Sequence, residues 1–154
     1  MVSASKDRAD NFTTFTMRLI NEMPILAPLI PRDDQRNSKV SFDVRPASAD
    51  HAPSCSSKGV LSQLAGSRAD EVIADDCEVP NNSFTQPMRD KLGEAVKEFE
   101  AILKPNGKIT FLGTPQVENS LYLTLEERGY ETRIWTARYP CLLYTSPSPR
   151  DLYR

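Results

Sequence analysis

The chain has 154 residues, of which 39% are hydrophobic and 26% charged, with a formal net charge of −2. That is the size and composition of one globular domain, without the broad basic footprint of a chain that grips nucleic acid by itself. No stretch approaches the roughly 18 apolar residues of a membrane span, and Met1-Val2-Ser3-Ala4-Ser5-Lys6 lacks the apolar core of a signal peptide, so a cytoplasmic chain is expected. Cys55, Cys77 and Cys141 show no CxxC or Cys/His metal spacing, and their odd number argues against a disulfide framework.

Taken in order, Ser5 is placed to cap a helix over Lys6 to Glu22, where Ala9, Phe12, Thr16, Leu19, Ile20 and Met23 recur at helical spacing until Pro24. Pro24, Pro28, Pro31 and the polar run Arg32 to Asn37 predict an irregular connection. Lys39 to Val44 alternates as a strand does, and Arg45 to Ser57 reads as a loop carrying a surface histidine, His51. Lys58 to Leu61 is a second short strand, and Glu71 to Ala74 a buried one. From Thr85, Met88, Leu92, Ala95, Val96, Phe99, Ile102 and Leu103 form the clearest helical pattern, with Pro87 in its first turn and Gly107 beyond its end. Lys108 to Leu112 is a strand, Gln116 to Arg128 a helix stopped by Gly129, and Tyr130 to Ala137 a last strand. Tyr122 and Trp135 lie in periodic segments and are expected to pack in the core. Strands alternating with helices imply an α/β fold with a parallel sheet covered on both faces.

The segment Glu71 to Pro80 carries the most chemistry. Its apolar strand delivers Asp75 and Asp76 onto the following loop, and acids at the carboxyl end of a strand mark the place where open α/β sheets hold a magnesium nucleotide. Read from both sides of the acids, the chain resembles the large terminase subunit of tailed bacteriophages, in its short-tailed-phage branch. The likeness runs through Val2-Ser3-Ala4-Ser5-Lys6, Ser41-Phe42-Asp43-Val44, Gly66-Ser67-Arg68-Ala69-Asp70, the acid segment, Leu112-Gly113-Thr114-Pro115, Arg128-Gly129-Tyr130 and Tyr139-Pro140.

The resemblance implies a partial P-loop NTPase sheet of the ASCE type, using ATP and Mg²⁺. It assigns Asp75 to the metal and Asp76 to the attacking water. An aspartate stands where related motors usually carry a glutamate, and the nearby Glu78 is the alternative for that role. Gly113 and Thr114 correspond to the motif that senses the nucleotide, with Gly113 allowing close backbone approach and Thr114 offering a hydroxyl. Without the family, Gly-Thr-Pro is a strand-to-helix turn with a capping threonine. Arg68 is placed to act on a neighbouring subunit's nucleotide, a role worth about 10³ to 10⁵ in rate, or else to form a surface pair with Asp70 or Glu71. Cys77 is expected to be a small packing residue.

The resemblance also implies double-stranded viral DNA, the portal protein and the small terminase subunit as partners, a homo-oligomeric ring, no membrane, and work in the host cytoplasm at the procapsid portal. Residues 1–140 read as a fragment of the terminase N-terminal ATPase domain. No GxxxxGK[ST] occurs in the chain, so a P-loop is expected upstream of Met1. Residues 141–154, with Cys141-Leu142-Leu143-Tyr144-Thr145-Ser146-Pro147-Ser148-Pro149-Arg150-Asp151, match a translated sequencing adapter and are set aside from fold reasoning. A helicase-like ATPase would use the same acids and coupling turn, and an inactive α/β interaction module would keep only the shape.

Overall fold

A computed structural model describes residues 1–135. Its framework is a four-stranded parallel sheet in the order β4-β1-β5-β6, formed by Lys58–Gly59, Val2–Ser3, Ala69–Asp75 and Leu103–Leu112. Helices α1 (Lys6–Glu22), α2 (Pro80–Ser83), α3 (Gln86–Ile102) and α4 (Leu121–Glu127) flank it. The expected α/β class with a parallel sheet is what the chain adopts.

Helix α1 spans the predicted residues. Ser5 is extended at φ −119°, and its hydroxyl accepts the Arg8 N–H at 3.2 Å, satisfying one of the donors a helix start leaves free. In α3 the predicted apolar stripe is the buried face from Leu92 onward, where Leu92, Val96, Phe99 and Ile102 pack with Val2, Val60, Leu64, Val72 and Ala74 in one core, while Met88 in the first turn is exposed. Val72 and Ala74 are two residues apart on β5 and so project from the same side of the sheet. Phe99 stacks on Phe111 with centroids 5.9 Å apart, and Phe111 meets Tyr130 edge to face at 5.4 Å.

Several expectations are corrected. Pro24–Leu29 is a 3₁₀ helix rather than an irregular connection, since Pro24 sits in its first turn, where no N–H is needed. The strand expected over Lys39 to Val44 shrinks to β2 (Ser41–Phe42). It pairs antiparallel with β3 (Cys55–Ser56), inside the segment read as loop. The flanking backbone is used elsewhere, because Asp43 N–H donates to Arg36 and the Val40 carbonyl accepts from Ser57.

Strand β6 begins at Leu103, directly after α3, and not at Lys108. The irregularity falls at Asn106, with φ +64°, and in a register shift opposite Ala69 to Glu71. A side chain at Gly107 would come within 2.9 Å of the Lys104 carbonyl, so this glycine serves a tight bend inside the strand. Tyr130 to Trp135 forms no strand, and the remaining two residues of that predicted element lie outside the described residues. Trp135 is 73% exposed and is not a core residue, whereas Tyr122 packs against the core as expected.

Candidate active site

In a parallel sheet all strands point their carboxyl ends the same way, and here those ends are in register. Ser3 pairs with Asp75, and Asp75 with Leu112, placing the ends of β1, β5 and β6 side by side. Asp76 continues the link through its backbone. Its N–H donates to the Leu112 carbonyl at 2.9 Å, and its carbonyl accepts the Ala4 N–H at 3.3 Å. To make both contacts it turns to φ +46°, a left-handed conformation that aspartate tolerates better than most residues.

The sheet edge therefore brings Asp75 and Asp76 together with the turn that carries Gly113 and Thr114. Asp75 is half-buried. Asp76 faces outward and meets Arg8 from the first turn of α1 at 3.4 Å, with both side chains well exposed. The sequence reading missed Arg8, although the topology signalled it: in a β-α unit the first helical turn stands over the carboxyl end of its own strand.

Glu78 is 1% exposed, and its carboxylate reaches away from the acids. It accepts the Gln116 N–H at 2.7 Å, the Leu121 N–H at 2.5 Å, and the Ser120 hydroxyl at 3.1 and 3.0 Å. The Ser120 hydroxyl also accepts the Tyr122 N–H at 3.2 Å and so caps α4. Helix α4 accordingly starts at Leu121 and not at the predicted Gln116. Position 78 thus holds a buried carboxylate with hydrogen bonds to both oxygens.

At Gly113 an added Cβ would lie 1.8 Å from the Tyr122 hydroxyl oxygen, so the absence of a side chain is a steric requirement. Tyr122 leans its hydroxyl toward the Leu112 carbonyl at 3.4 Å, and burial, the largest influence, raises its pKa above the usual phenol range. Cys77 is fully buried behind the acids. Burial first, then Asp75 and Asp76, push its thiol up to about 12, so it serves as the small packing residue expected.

Arg68 stands apart. It lies before the amino end of β5, so its separation from Asp75 along the strand is about 23 Å. The surface pairs anticipated for it go to β6 instead, where Lys104 meets Asp70 at 3.0 Å and Lys108 meets Glu71 at 3.1 Å. The Arg68 guanidinium donates to the Ser67 carbonyl.

Among the described residues no cluster of three or more His, Cys, Asp or Glu side chains forms a ready-made metal site. Magnesium does not require one, because it commonly takes one or two carboxylates and completes its shell with phosphate oxygens and water. Asp75 suits that need. The buried Ser3 hydroxyl, across the ladder from Asp75, has no partner among the described residues and adds an unused oxygen to the same edge. A cleft of about 470 Å³ between α3 and α4 is lined by Glu78, Arg89, Asp90, Glu94 and Arg128 and contains neither Asp75 nor Asp76.

No family model matches the chain. The terminase large subunit of Enterobacteria phage T3 is 52% identical to it over 143 residues, which is 91% of the chain. The chain is a terminase large-subunit homologue. It spans 24% of the length of that T3 protein. A match over 91% of the chain spans the acid segment and the Gly113-Thr114 turn together, so the terminase likeness does not hang on a single motif. Among the described residues, no helix is long and apolar enough to cross a membrane.

Proposed function

We propose that this chain supplies the acid-bearing part of the ATPase motor of a phage large terminase, which hydrolyses ATP to move double-stranded viral DNA into the capsid. The observation that carries the reading is the convergence of Asp75, Asp76 and Gly113-Thr114 on the aligned ends of β5 and β6, in a chain with 52% identity to a terminase large subunit. Residues 1–140 belong to the ATPase domain in this reading, and 141–154 are not native to it. The partners are the DNA, the portal protein, the small terminase subunit and further copies of the large subunit in a ring at the procapsid, in the host cytoplasm.

Phosphoryl transfer asks a protein mainly to place charge and to position the nucleophile. Asp75 would hold Mg²⁺, which when bound neutralises charge on the transferred phosphoryl group. Asp76, exposed and held in place through its backbone, orients the attacking water and accepts its proton. Arg8 sets the carboxylate's direction. Thr114 presents a hydroxyl to the phosphate side, and Arg68, remote from its own acids, serves a neighbouring subunit. The phosphate cradle must come from outside these residues, because the chain contains no GxxxxGK[ST].

The test is a complete large subunit containing this segment, assayed for ATP hydrolysis and for DNA uptake by portal-bearing procapsids. Both activities are expected, and both should be lost in the Asp75→Asn, Asp76→Asn double variant. Undiminished turnover in that variant would overturn the proposal.

A further inference from the structure

Glu78 is an acid that the proposed chemistry does not use, and its surroundings give it a different task. A carboxylate that serves as a base needs a free lone pair and access to water. Both oxygens of Glu78 are already engaged: one accepts the Gln116 N–H, the other the Leu121 N–H, and the single Ser120 hydroxyl proton is shared between them. Burying a carboxylate without a cation costs several kcal/mol unless hydrogen bonds replace its water, and donors from one short segment do that here.

The segment starts one residue past Thr114-Pro115, so whatever fixes Gln116 also fixes the reach of the Thr114 hydroxyl. The acid loop is itself held. Asn82 donates to the Cys77 carbonyl at 2.8 Å and accepts the Val79 N–H at 2.9 Å, bracketing Glu78 on both sides. On the other flank, Tyr122 abuts Gly113 and approaches the Leu112 carbonyl, which also accepts from Asp76. The acid loop, the Gly113-Thr114 turn and the start of α4 thus form a closed circuit of contacts.

We propose that Glu78 is a positioning residue: its carboxylate clamps residues 116–121 to the acid loop, fixes Thr114 relative to Asp75 and Asp76, and makes α4 move with the nucleotide end of the sheet. This rests on the proposed ATPase reading and assigns the water-activating role to Asp76 alone.

A double-mutant cycle in a complete large subunit carrying this segment separates the two roles of Glu78. As a clamp, Glu78→Gln turns an amide N–H toward donors that need an acceptor. It should lower kcat about 10-fold with the KM for ATP within about 2-fold. With Thr114→Val already present, the further loss should be under about 2-fold, because the group that the clamp positions is gone. A loss of about 10² or more in both backgrounds identifies a general base and overturns the proposal.

Hydrogen exchange supplies a readout independent of turnover. The amides of residues 113–121 should exchange faster in Glu78→Gln while those of β5 keep their protection, and unchanged exchange at 113–121 overturns the clamp. Should Glu78→Gln also lose β5 protection, Ser120→Ala decides. It removes one donor and leaves the carboxylate, so faster exchange at 113–121 supports the clamp and wild-type exchange overturns it. If the unmodified protein hydrolyses no ATP, the functional reading fails, and the exchange result still decides the clamp.

Discussion

The carbonyl oxygen of Leu112 accepts the backbone N–H of Asp76 at 2.9 Å, so the strand that leads to Thr114 and the loop that carries the acids share a hydrogen bond at their tips. Neither residue can shift along the sheet without the other. On the proposed ATPase reading this would be a short route from the acids to the Gly113-Thr114 turn, and the Tyr122 hydroxyl lies beside the same carbonyl. Two contacts tie α4 to this region, the Tyr122 hydroxyl beside the Leu112 carbonyl and the Leu121 N–H on the Glu78 carboxylate, so that helix touches both the acid loop and the Gly113-Thr114 turn.

Gly113→Ala should test the first of these contacts. Its new methyl would overlap Tyr122, and because the ring carbon lies only 2.5 Å away, removing the hydroxyl alone would not relieve the overlap. Overpacking of this kind costs about 1 to 3 kcal/mol. In a Tyr122→Ala background the same change should cost under about 0.5 kcal/mol, a non-additivity readable from denaturant melts of the four proteins. Equal costs in both backgrounds would show that the clash is absorbed elsewhere.

The aromatic stack under β6 makes a prediction about stability. Phe99 is fully buried against Phe111, so Phe99→Ala should destabilise by about 3 to 5 kcal/mol, while Phe84→Ser, at a position 79% exposed, should stay within about 0.5 kcal/mol. Thermal unfolding of the two variants checks the contrast. Similar melting temperatures would mean that α3 does not dock on the sheet as described.

The elements legible in the sequence were those with local signals. Helix α1 has a capping serine and a proline stop, α3 has a long apolar stripe, and β5 is a short apolar run ending in acids. What stayed hidden depends on contacts between distant residues. Nothing within a few positions of Glu78 reveals that Gln116, Ser120 and Leu121 supply its donors, so its burial is not legible locally. Strands β2 and β3 are two residues each, below the length at which alternation is readable. Periodicity places Trp135 in the core but cannot report whether a neighbouring element is there to cover it. Asp75, Asp76 and the Gly113-Thr114 turn were found as separate motifs, and the sheet register brings them together. Arg8 required the additional step of reading the helix start as part of the sheet edge.

The tie between α1 and the β3–β4 region should be sensitive to acid. Lys6 and the buried Ser57 hydroxyl both donate to the Asp10 carboxylate, and these bonds, that from Lys6 first, hold its pKa below the usual value. A carboxylate depressed in the folded state stabilises the fold above its unfolded pKa of about 4, and this contribution disappears as pH falls through the lower folded value. Asp10→Asn should therefore be less stable than the parent at pH 7, with the gap closing below about pH 4. Melting temperatures of both proteins across pH 3 to 7 decide the matter, and parallel curves would mean that Asp10 contributes nothing through its charge.

The last prediction separates the two acids and the arginine beside them, in a complete large subunit carrying this segment. Asp75→Asn should weaken Mg²⁺-ATP binding as well as turnover, because it removes charge from the metal's shell. Asp76→Asn should leave binding largely intact and cut kcat by about 10² or more, the scale of losing a water-positioning group. Asparagine suits this test because it accepts the left-handed backbone at φ +46° as readily as aspartate, so the lesion is chemical and not conformational. Arg8→Ala should cost little stability, since its pair with Asp76 is exposed on both sides, yet it should lower kcat by freeing the carboxylate it orients. ATP titrations and initial rates distinguish these patterns. Full turnover in Asp76→Asn together with weakened nucleotide binding would transfer the metal role to Asp76 and leave the water without its assigned base.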